Sequence, residues 1–234
     1  MRFENDTVFI TGAGSGIGRA TALAVAEQGA FVVATDINDE GGKETVAAVE
    51  EAGGEAAFHR LDVTDAEEFD AVVETAVEEY GLDCVVNNAG VGHPPAYTED
   101  VTDTMFDYVV DVNLRGVWNG CQAALPHLKE QESGAIVNVG SLASFLGLPK
   151  QSVYSLTKGA VLNFTRAVAA EAGADGVRCN AVCPGFIETP LGNQFFDSKS
   201  DPEKAKERTE RQYPLKRLGD AGEGADAIAC LLSD

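Results

Sequence analysis

The sequence has few basic side chains. Its 234 residues include 17 lysine and arginine residues against 38 aspartate and glutamate residues, so the formal net charge at pH 7 is −21. A surface with this charge repels the phosphates of nucleic acids and of anionic lipid headgroups. The charge therefore argues against nucleic acid or a membrane as the main partner.

The features of membrane, secreted and metal-binding proteins are also missing. No apolar run approaches the ~20 residues that cross a bilayer, and the N-terminus lacks the basic segment and long apolar run of a signal peptide. The five cysteines form no CxxC pair, and the three histidines lack the spacing of metal ligands. We expect a cytoplasmic protein with free thiols and no structural metal.

The acidic residues are spread along the whole chain rather than collected in one tail. Their excess goes beyond the net charge of about 2–8 that is usual for a small soluble domain. Two interpretations stay open: an ordinary acidic cytosolic enzyme, or adaptation to a salt-rich cytoplasm in which a hydrated, charged surface keeps the protein soluble. We favour the second, and with it a halophilic source.

Short β-rich runs alternate with longer helical patterns. The patterns predict strands at 7–11, 30–34, 56–61, 83–86, 134–139 and 177–182, and helices at 17–28, 40–52, 65–80, 102–129, 153–173 and 223–232. The strands are almost entirely apolar, which is typical of a parallel sheet covered on both faces. We therefore predict an α/β protein: a Rossmann-type doubly wound parallel β-sheet flanked by helices on both faces, in a single domain over residues 1–234.

Residues 186–218 break this alternation. The segment is polar, rich in lysine and glutamate, and contains Pro190, Pro202 and Pro214. Irregular segments of this length are often lids over a binding site. We predict an inserted substrate lid with helical pieces.

A glycine-rich turn follows the first predicted strand. Residues 11–18 read TGAGSGIG, a TGxxxGxG pattern that leads directly into a predicted helix. Backbone N–H groups at such a helix start bind a pyrophosphate, and glycine lets the phosphate come close. A tight turn without a ligand is the alternative, but the strand–turn–helix context favours a dinucleotide site.

The second predicted strand is followed by Asp36, 18 residues after Gly18. An acid at this position accepts hydrogen bonds from the ribose hydroxyls of NAD and repels the 2′-phosphate of NADP. Ser15, Ile37 and Asn38 add no positive charge. We therefore predict NAD as the cofactor. Asp62 and Val63 follow the third strand, either as a turn that caps the next helix or as a contact with the adenine ring.

Tyr154 and Lys158 are four residues apart in a predicted helix, so they share one face. A tyrosine near its ordinary pKa of ~10 is a poor base at neutral pH, and a neighbouring ammonium lowers that pKa. Tyr154 would then take the proton of an alcohol while a hydride leaves for the cofactor. Ser141, at the end of the fifth strand, would steady the charge that develops on the substrate oxygen.

With these motifs in place, the whole sequence resembles the short-chain dehydrogenase/reductase family, of the single-domain kind with ~250 residues. The resemblance rests on Thr11-Gly12-xxx-Gly16-Ile17-Gly18, on Asn87-Asn88-Ala89-Gly90, on Asn113, Ser141, Tyr154 and Lys158 as a catalytic tetrad, and on Pro184-Gly185 after the sixth strand.

The resemblance implies a role for each of these positions. Tyr154 would be the general acid and base, Lys158 would bind the nicotinamide ribose and lower the pKa of Tyr154, and Ser141 would orient the substrate oxygen. Asn113 would hold, through its main chain, a water of a proton relay. The expected cofactor contacts are Gly12, Ser15, Gly16, Ile17, Gly18, Asp36, Asp62, Val63, Asn88, Ala89, Gly90, Tyr154, Lys158, Pro184, Gly185, Ile187 and Thr189.

The resemblance also implies a homotetramer, or a dimer, in which the helices around 103–129 and 153–173 pack across an interface. Family members generally continue past a helix such as 223–232 into a seventh strand, whereas this sequence stops at Asp234. We expect that this strand was omitted from the sequence given, since without it a sheet edge would be exposed.

We expect a small-molecule substrate in a pocket lined by His93, Pro94, Ala143, Phe145, Leu148 and Gln151 together with the lid. Ala143 and Gln151 offer no cation, and we expect Lys150 and Lys199 to be solvated. A neutral secondary alcohol or ketone is therefore favoured: a cyclic compound, a sugar or a 3-oxoacyl thioester. The alternatives are an NADP-linked 3-oxoacyl thioester reductase, or a regulatory protein that binds NAD without catalysis. Asp36 argues against the first and the complete set of Ser141, Tyr154 and Lys158 against the second.

The acidic surface leads to a prediction about salt. We expect activity and melting temperature to be higher in molar KCl than in dilute buffer, because salt shortens the range of repulsion between surface charges to about 3 Å at 1 M. Initial rates and thermal melts over a KCl series measure this. Greatest activity and stability in dilute buffer would contradict the halophilic interpretation.

Overall fold

The computed structural model describes residues 2–233. Its centre is one sheet of six parallel strands: β1 (Thr7–Thr11), β2 (Phe31–Asp36), β3 (Glu55–Arg60), β4 (Cys84–Asn87), β5 (Gly134–Val139) and β6 (Val177–Val182). The strand order is β3-β2-β1-β4-β5-β6. The chain thus winds outward in one direction from β1 and then in the other from β4. This confirms the predicted doubly wound sheet, and it places a crevice where the two directions meet.

Nine α-helices connect and cover the strands within residues 2–233. They are α1 (Gly16–Ala26), α2 (Asp39–Glu51), α3 (Ala66–Tyr80), α4 (Asp103–Val110), α5 (Gly116–Glu130), α6 (Ser152–Ala172), α7 (Pro190–Asp197), α8 (Pro202–Glu210) and α9 (Ala221–Leu232). Asp65 caps α3, accepting hydrogen bonds from the N–H groups of Glu67 and Glu68, and Gly81 ends that helix. None of these helices has both the length and the apolar character needed to span a bilayer.

The core lies in two layers because strand side chains alternate between faces. Val8, Ile10 and Val32 pack on one face against α1, α2 and α9. Phe9 and Ile136 point to the other face, where they pack against α3, α5 and α6. Both faces are therefore buried, which explains the apolar strands.

The helix predicted over 102–129 differs in one respect. A π-helical turn, Asp111–Arg115, separates α4 from α5, and the N–H of Gly116 bonds back to the carbonyl of Asp111. The apolar periodicity does not reveal this extra residue, because both flanking helices keep their apolar faces. Such turns are frequent at functional sites, and this one contains Asn113.

A buried polar contact holds α6 on the sheet. The side-chain oxygen of Asn138 on β5 accepts from the Asn87 amide at 2.8 Å, and its amide nitrogen donates to Thr165 Oγ1 at 3.0 Å. Thr165 lies on α6, two turns after Lys158. Because buried polar groups are costly without partners, this contact fixes the position of α6 relative to β4 and β5.

The segment 186–218 starts and ends at one backbone junction. Glu188 N donates to Gly219 O and Gly219 N donates to Phe186 O, both at 2.9 Å. Between these points lie α7 and α8, so the predicted helical pieces are present. The seventh strand expected from the resemblance would follow Asp234 and lies outside the described residues; β6 pairs only with β5 within residues 2–233.

Candidate active site

A cavity of about 930 Å³ opens at the carboxyl ends of the strands. Its walls come from the turn after β1, the ends of β2 to β6, the start of α6, and α7. Of the predicted site residues it is lined by Gly12, Ser15, Gly16, Ile17, Asp36, Asp62, Val63, Asn88, Ala89, Gly90, Ser141, Tyr154, Lys158, Pro184, Gly185, Ile187 and Thr189. Gly18 and Asn113 do not line it.

The glycines of the turn after β1 are required by close packing. Gly12 has φ +65°, and a Cβ there would lie 2.9 Å from both Ala89 Cα and Asn88 Nδ2. Gly18 packs behind the turn, where a Cβ would collide with the carbonyl of Gly12. The structure therefore gives Gly18 a packing role, while its expected contact with the cofactor stays a prediction. A side chain at either glycine would force the turn away from β4.

Asp36 at the end of β2 is held by two backbone N–H groups. Gly14 N donates to Oδ2 and Asn38 N to Oδ1, each at 2.8 Å. A Cβ on Gly14 would lie 2.7 Å from Oδ2, so glycine permits this approach. The carboxylate lines the cavity with its orientation set before any ligand binds.

Arg19 was not among the predicted site residues. Its guanidinium donates to the carbonyl oxygens of Gly14 at 2.7 Å and Gly41 at 3.1 Å, and it forms an ion pair with Glu44 at 2.8 Å. This cation thus joins the glycine-rich turn to α2 and is already paired. In the sequence, only the position of Arg19 in the first turns of α1 indicated that it lies near the glycine-rich turn.

Asp62 and Val63 both line the cavity, and Asp62 also forms a local turn. Its Oδ1 accepts from the backbone N–H of Thr64 at 3.0 Å and from the Thr64 hydroxyl at 2.8 Å. The carbonyl of Val63 accepts from the Asn119 amide at 2.9 Å. Asp62 thus forms the turn that leads into α3, although the capping side chain is that of Asp65. The contact of Asp62 with an adenine ring stays a prediction.

Ser141, Tyr154 and Lys158 meet in the cavity. Lys158 is 3% exposed, and its Nζ donates to the carbonyl oxygen of Val139 at 2.8 Å. Burial lowers the pKa of Lys158 to about 8, an effect that the charge of Cys183 opposes. Burial raises the pKa of Tyr154, and a hydrogen bond with Ser141 opposes that rise.

Lys158 is hydrogen-bonded to the backbone rather than to Tyr154, and the expectation that it lowers the pKa of Tyr154 stays a prediction. The Lys158 ammonium lies 5.9 Å from the centre of the Tyr154 ring and is bonded to a carbonyl oxygen instead. Ser141 is the group that favours the phenolate in this arrangement. The spacing of four residues predicted a shared helix face but not the direction in which the lysine extends.

Asn113 is buried in the π-helical turn. Its Oδ1 accepts from Val91 N at 2.7 Å, and its Nδ2 donates to Val91 O at 2.9 Å. A Cβ on Gly90 would lie 3.4 Å from Asn113 Oδ1 and 3.5 Å from Lys158 Nζ. The side chain of Asn113 therefore holds the segment after β4 beside Lys158, while its expected main-chain role in a water relay stays a prediction.

The expected pocket wall is partly wrong. His93, Pro94, Leu148 and Gln151 line the cavity. Ala143 and Phe145 do not, because the short 3₁₀ turn after β5 buries the first and leaves the second 65% exposed on the outside. Sequence reasoning missed Tyr108, Asp111 and Val112, which α4 and the π-helical turn bring to the wall. Leu191, Gln194 and Phe195 on α7 also line the cavity, and they belong to the segment 186–218 that was expected there.

A doubly wound sheet with a glycine-rich turn and a Ser–Tyr–Lys group at its carboxyl edge defines a class of dinucleotide-binding oxidoreductases. A family model described as enoyl-(acyl carrier protein) reductase matches residues 12–234. The chain belongs to the short-chain dehydrogenase/reductase family, whose members are oxidoreductases that bind a nicotinamide cofactor and act on small molecules.

Characterised relatives span nearly the whole chain. The 3-oxoacyl-(acyl-carrier-protein) reductase of Thermotoga maritima is 40% identical over 235 residues, which cover 100% of this chain and 93% of the relative. Levodione reductase of Leifsonia aquatica is 40% identical, covering 100% and 89%. The cyclohexanol dehydrogenase of an Acinetobacter strain is 37% identical, covering 100% and 90%.

Solved structures agree with the fold. The crystal structure of levodione reductase has a TM-score of 0.97 and 39% identity, covering 100% of this chain and 92% of the other. That of NAD⁺-bound xylitol dehydrogenase has a TM-score of 0.97 and 30% identity, covering 100% and 94%.

Proposed function

We propose that this protein is an NAD-dependent oxidoreductase that interconverts a secondary alcohol and a ketone, with Tyr154 as general acid and base. The observation that carries the proposal is the meeting of Ser141, Tyr154 and Lys158 in the same cavity as Asp36. A protein that bound NAD without catalysis would not need the side chains of Ser141, Tyr154 and Lys158 together.

The residues present fit a dinucleotide. Gly12 and Gly90 form a surface without side chains beside Ala89 and Asn88, and the cavity continues from there to Asp36 at one end and Tyr154 at the other. The start of α1 would hold the pyrophosphate, because Ser15 leaves the first N–H groups of the helix without a side-chain cap. A bound nicotinamide cofactor would supply the acceptor for the hydride that leaves the alcohol carbon. Asn88, Ala89, Gly90, Lys158, Pro184, Gly185, Ile187 and Thr189 are the remaining proposed contacts.

The proton is handled by the chain itself. The Ser141 hydroxyl holds the substrate oxygen and hydrogen-bonds Tyr154, which favours the phenolate. The phenolate of Tyr154 removes the alcohol proton during oxidation, and the phenol returns it during reduction. Lys158 keeps a positive charge at neutral pH, below its pKa of about 8, and binds the ribose.

The choice of NAD rests on Asp36. Its carboxylate is held rigidly where it would accept hydrogen bonds from ribose hydroxyls and repel a 2′-phosphate. Arg19 is a cation that contacts this turn, and its guanidinium is already bonded to Gly14, Gly41 and Glu44. It therefore offers little to a phosphate.

A second candidate is an NADP-linked 3-oxoacyl thioester reductase. The relative from Thermotoga maritima and the description of the family model favour it. Asp36 favours NAD, however, and the apolar wall formed by Val91, Leu148 and Leu191 suits a compact neutral substrate. The relatives named for levodione and cyclohexanol add support for a cyclic ketone or alcohol.

The setting of the enzyme is proposed on the same basis. Residues 186–218 act as the substrate lid, since α7 contributes Leu191, Gln194 and Phe195 to the cavity.

Phe106, Trp118 and Leu156 on α4, α5 and α6 are more than 40% exposed, which suits helix packing in a homotetramer or a dimer. We propose a cytoplasmic location, and we attribute the high negative net charge to a halophilic source.

The role of Tyr154 as general acid and base can be tested by substitution. Replacing it (Tyr154→Phe) should lower kcat for alcohol oxidation by a factor of about 10² to 10⁴, because the proton acceptor is lost. NAD binding, followed by cofactor fluorescence, should change little. Tyr80→Phe, on α3 and outside the cavity, is the matched control. Retained turnover in Tyr154→Phe would contradict the acid–base assignment.

The preference for NAD over NADP can be tested at Asp36. Asp36→Ala should lower the ratio of kcat/KM for NAD over NADP by roughly 10- to 100-fold, because hydrogen bonds to a charged carboxylate are lost and repulsion of the phosphate ends. Asp39→Ala, an exposed acid at the start of α2, should leave the ratio as it is. An unchanged ratio in Asp36→Ala would mean that another group sets the preference.

The proposed role of Ser141 predicts how the rate of alcohol oxidation depends on pH. Alcohol oxidation needs the phenolate, so its kcat/KM should rise with pH up to the pKa of Tyr154. Ser141→Ala removes the hydrogen bond that lowers this pKa, so the midpoint should move to higher pH in addition to any loss of rate. Ser141→Thr keeps a hydroxyl and should restore the midpoint. An equal midpoint in Ser141→Ala and the parent enzyme would show that Ser141 does not tune Tyr154.

A further inference from the structure

His93 carries a buried nitrogen that the proposed mechanism does not use. The residue lies three positions after Gly90, the last residue of the NNAG segment, lines the cavity and is 8% exposed. Its Nε2 is buried and has no hydrogen-bond partner among residues 2–233. Because an unpaired buried polar atom is costly, an atom of this kind on a cavity wall indicates a ligand group that would complete it.

The other ring nitrogen decides what Nε2 can do. His93 Nδ1 lies 2.7 Å from the carbonyl oxygen of Pro94. A carbonyl oxygen only accepts hydrogen bonds, so Nδ1 carries the hydrogen. In the neutral ring Nε2 is then an acceptor, and it calls for a donor such as a hydroxyl group.

His93 is also tied to the part of the cavity where the chemistry takes place. The side-chain amide of Gln151 donates to the backbone carbonyl of His93 at 3.0 Å. Gln151 is the residue before α6 and precedes Tyr154 by three positions, about one helical turn. The imidazole and the phenol both line the cavity, and this hydrogen bond joins the segment that carries His93 to the start of the helix that carries Tyr154.

We propose that His93 is a specificity-determining residue whose Nε2 accepts a hydrogen bond from a second hydroxyl group of the substrate. The preferred substrates are then diols or hydroxyketones, with one oxygen at Tyr154 and a hydroxyl on a nearby carbon at His93. This inference rests on the proposed function, and it narrows the substrate class from secondary alcohols to those with a neighbouring hydroxyl.

The test compares substrates that differ by that one group. Oxidation of cyclohexanol and 1,2-cyclohexanediol, and of 2-butanol and 2,3-butanediol, is followed by NADH fluorescence at pH 8.5. His93→Leu should lower kcat/KM for the diols by about 10- to 100-fold, because the donor loses its acceptor. The values for the two mono-alcohols should stay within about twofold or rise, since an apolar side chain suits them better.

Two further variants separate recognition from structure. His93→Gln brings a side-chain oxygen back to this wall and should recover part of the diol activity. His59 on β3 has a buried Nε2 that also lacks a partner within residues 2–233, but it lies outside the cavity, so His59→Leu should alter neither substrate class. Melting temperatures of all variants report on folding.

The outcomes are distinct. Equal losses for diols and mono-alcohols in His93→Leu, or no loss for either, would overturn the role of His93 and leave the proposed function standing. If the parent enzyme oxidises none of the four compounds, the proposed function fails. In that case the thermal shift of the NAD complex on adding each diol decides about His93: a shift in the parent that His93→Leu lacks supports it, and no such difference overturns it.

Discussion

The close contact between the turn after β1 and the start of the β4 loop is the constraint on which the site depends. Asn88 donates from its amide to the carbonyl oxygens of Thr11 and Gly12, and the Thr11 hydroxyl accepts from the backbone N–H groups of Asn88 and Ala89. Only glycine at positions 12 and 18 leaves room for this contact. It joins the two halves of the sheet at the point where the strand order reverses, and so forms the floor of the cavity.

The polar groups of the cavity are placed by backbone partners more than by one another. Asp36 is held by Gly14 and Asn38 and Lys158 by Val139, and behind the cavity wall Asn113 is held by Val91. Backbone groups of the sheet and its turns cannot rotate away, so the side chains they hold are oriented before a ligand arrives. Preorganised charges and hydrogen bonds of this kind lower the cost of stabilising a transition state. His93 Nε2 differs from these groups because it has no hydrogen-bond partner within residues 2–233. A hydroxyl group of the substrate would supply that partner.

Some elements were predicted closely and others were not. The bounds predicted for β5 and β6 are those of the structure, and the doubly wound parallel sheet followed from the alternation of apolar strands with helices. The π-helical turn at Asp111–Arg115 and the outward orientation of Phe145 were not predicted. A one-residue insertion leaves the apolar pattern of a helix intact, and the direction of a side chain in a short 3₁₀ turn depends on what packs beneath it. Arg19 was missed for a related reason, since its partners Gly41 and Glu44 are distant in sequence.

The sequence by itself determined the class of fold, the family and the set of residues available for chemistry. These follow from short-range information: apolar periodicity, the glycine spacing before α1, and the spacing of Tyr154 and Lys158 on one helix. Only the tertiary structure decided the roles within that set. Gly18 packs behind the turn, Lys158 extends to the carbonyl oxygen of Val139, and His93 Nε2 has no hydrogen-bond partner within residues 2–233. Hydrogen-bond partners, burial and the pKa depend on contacts between residues far apart in the chain, which spacing along the sequence does not encode.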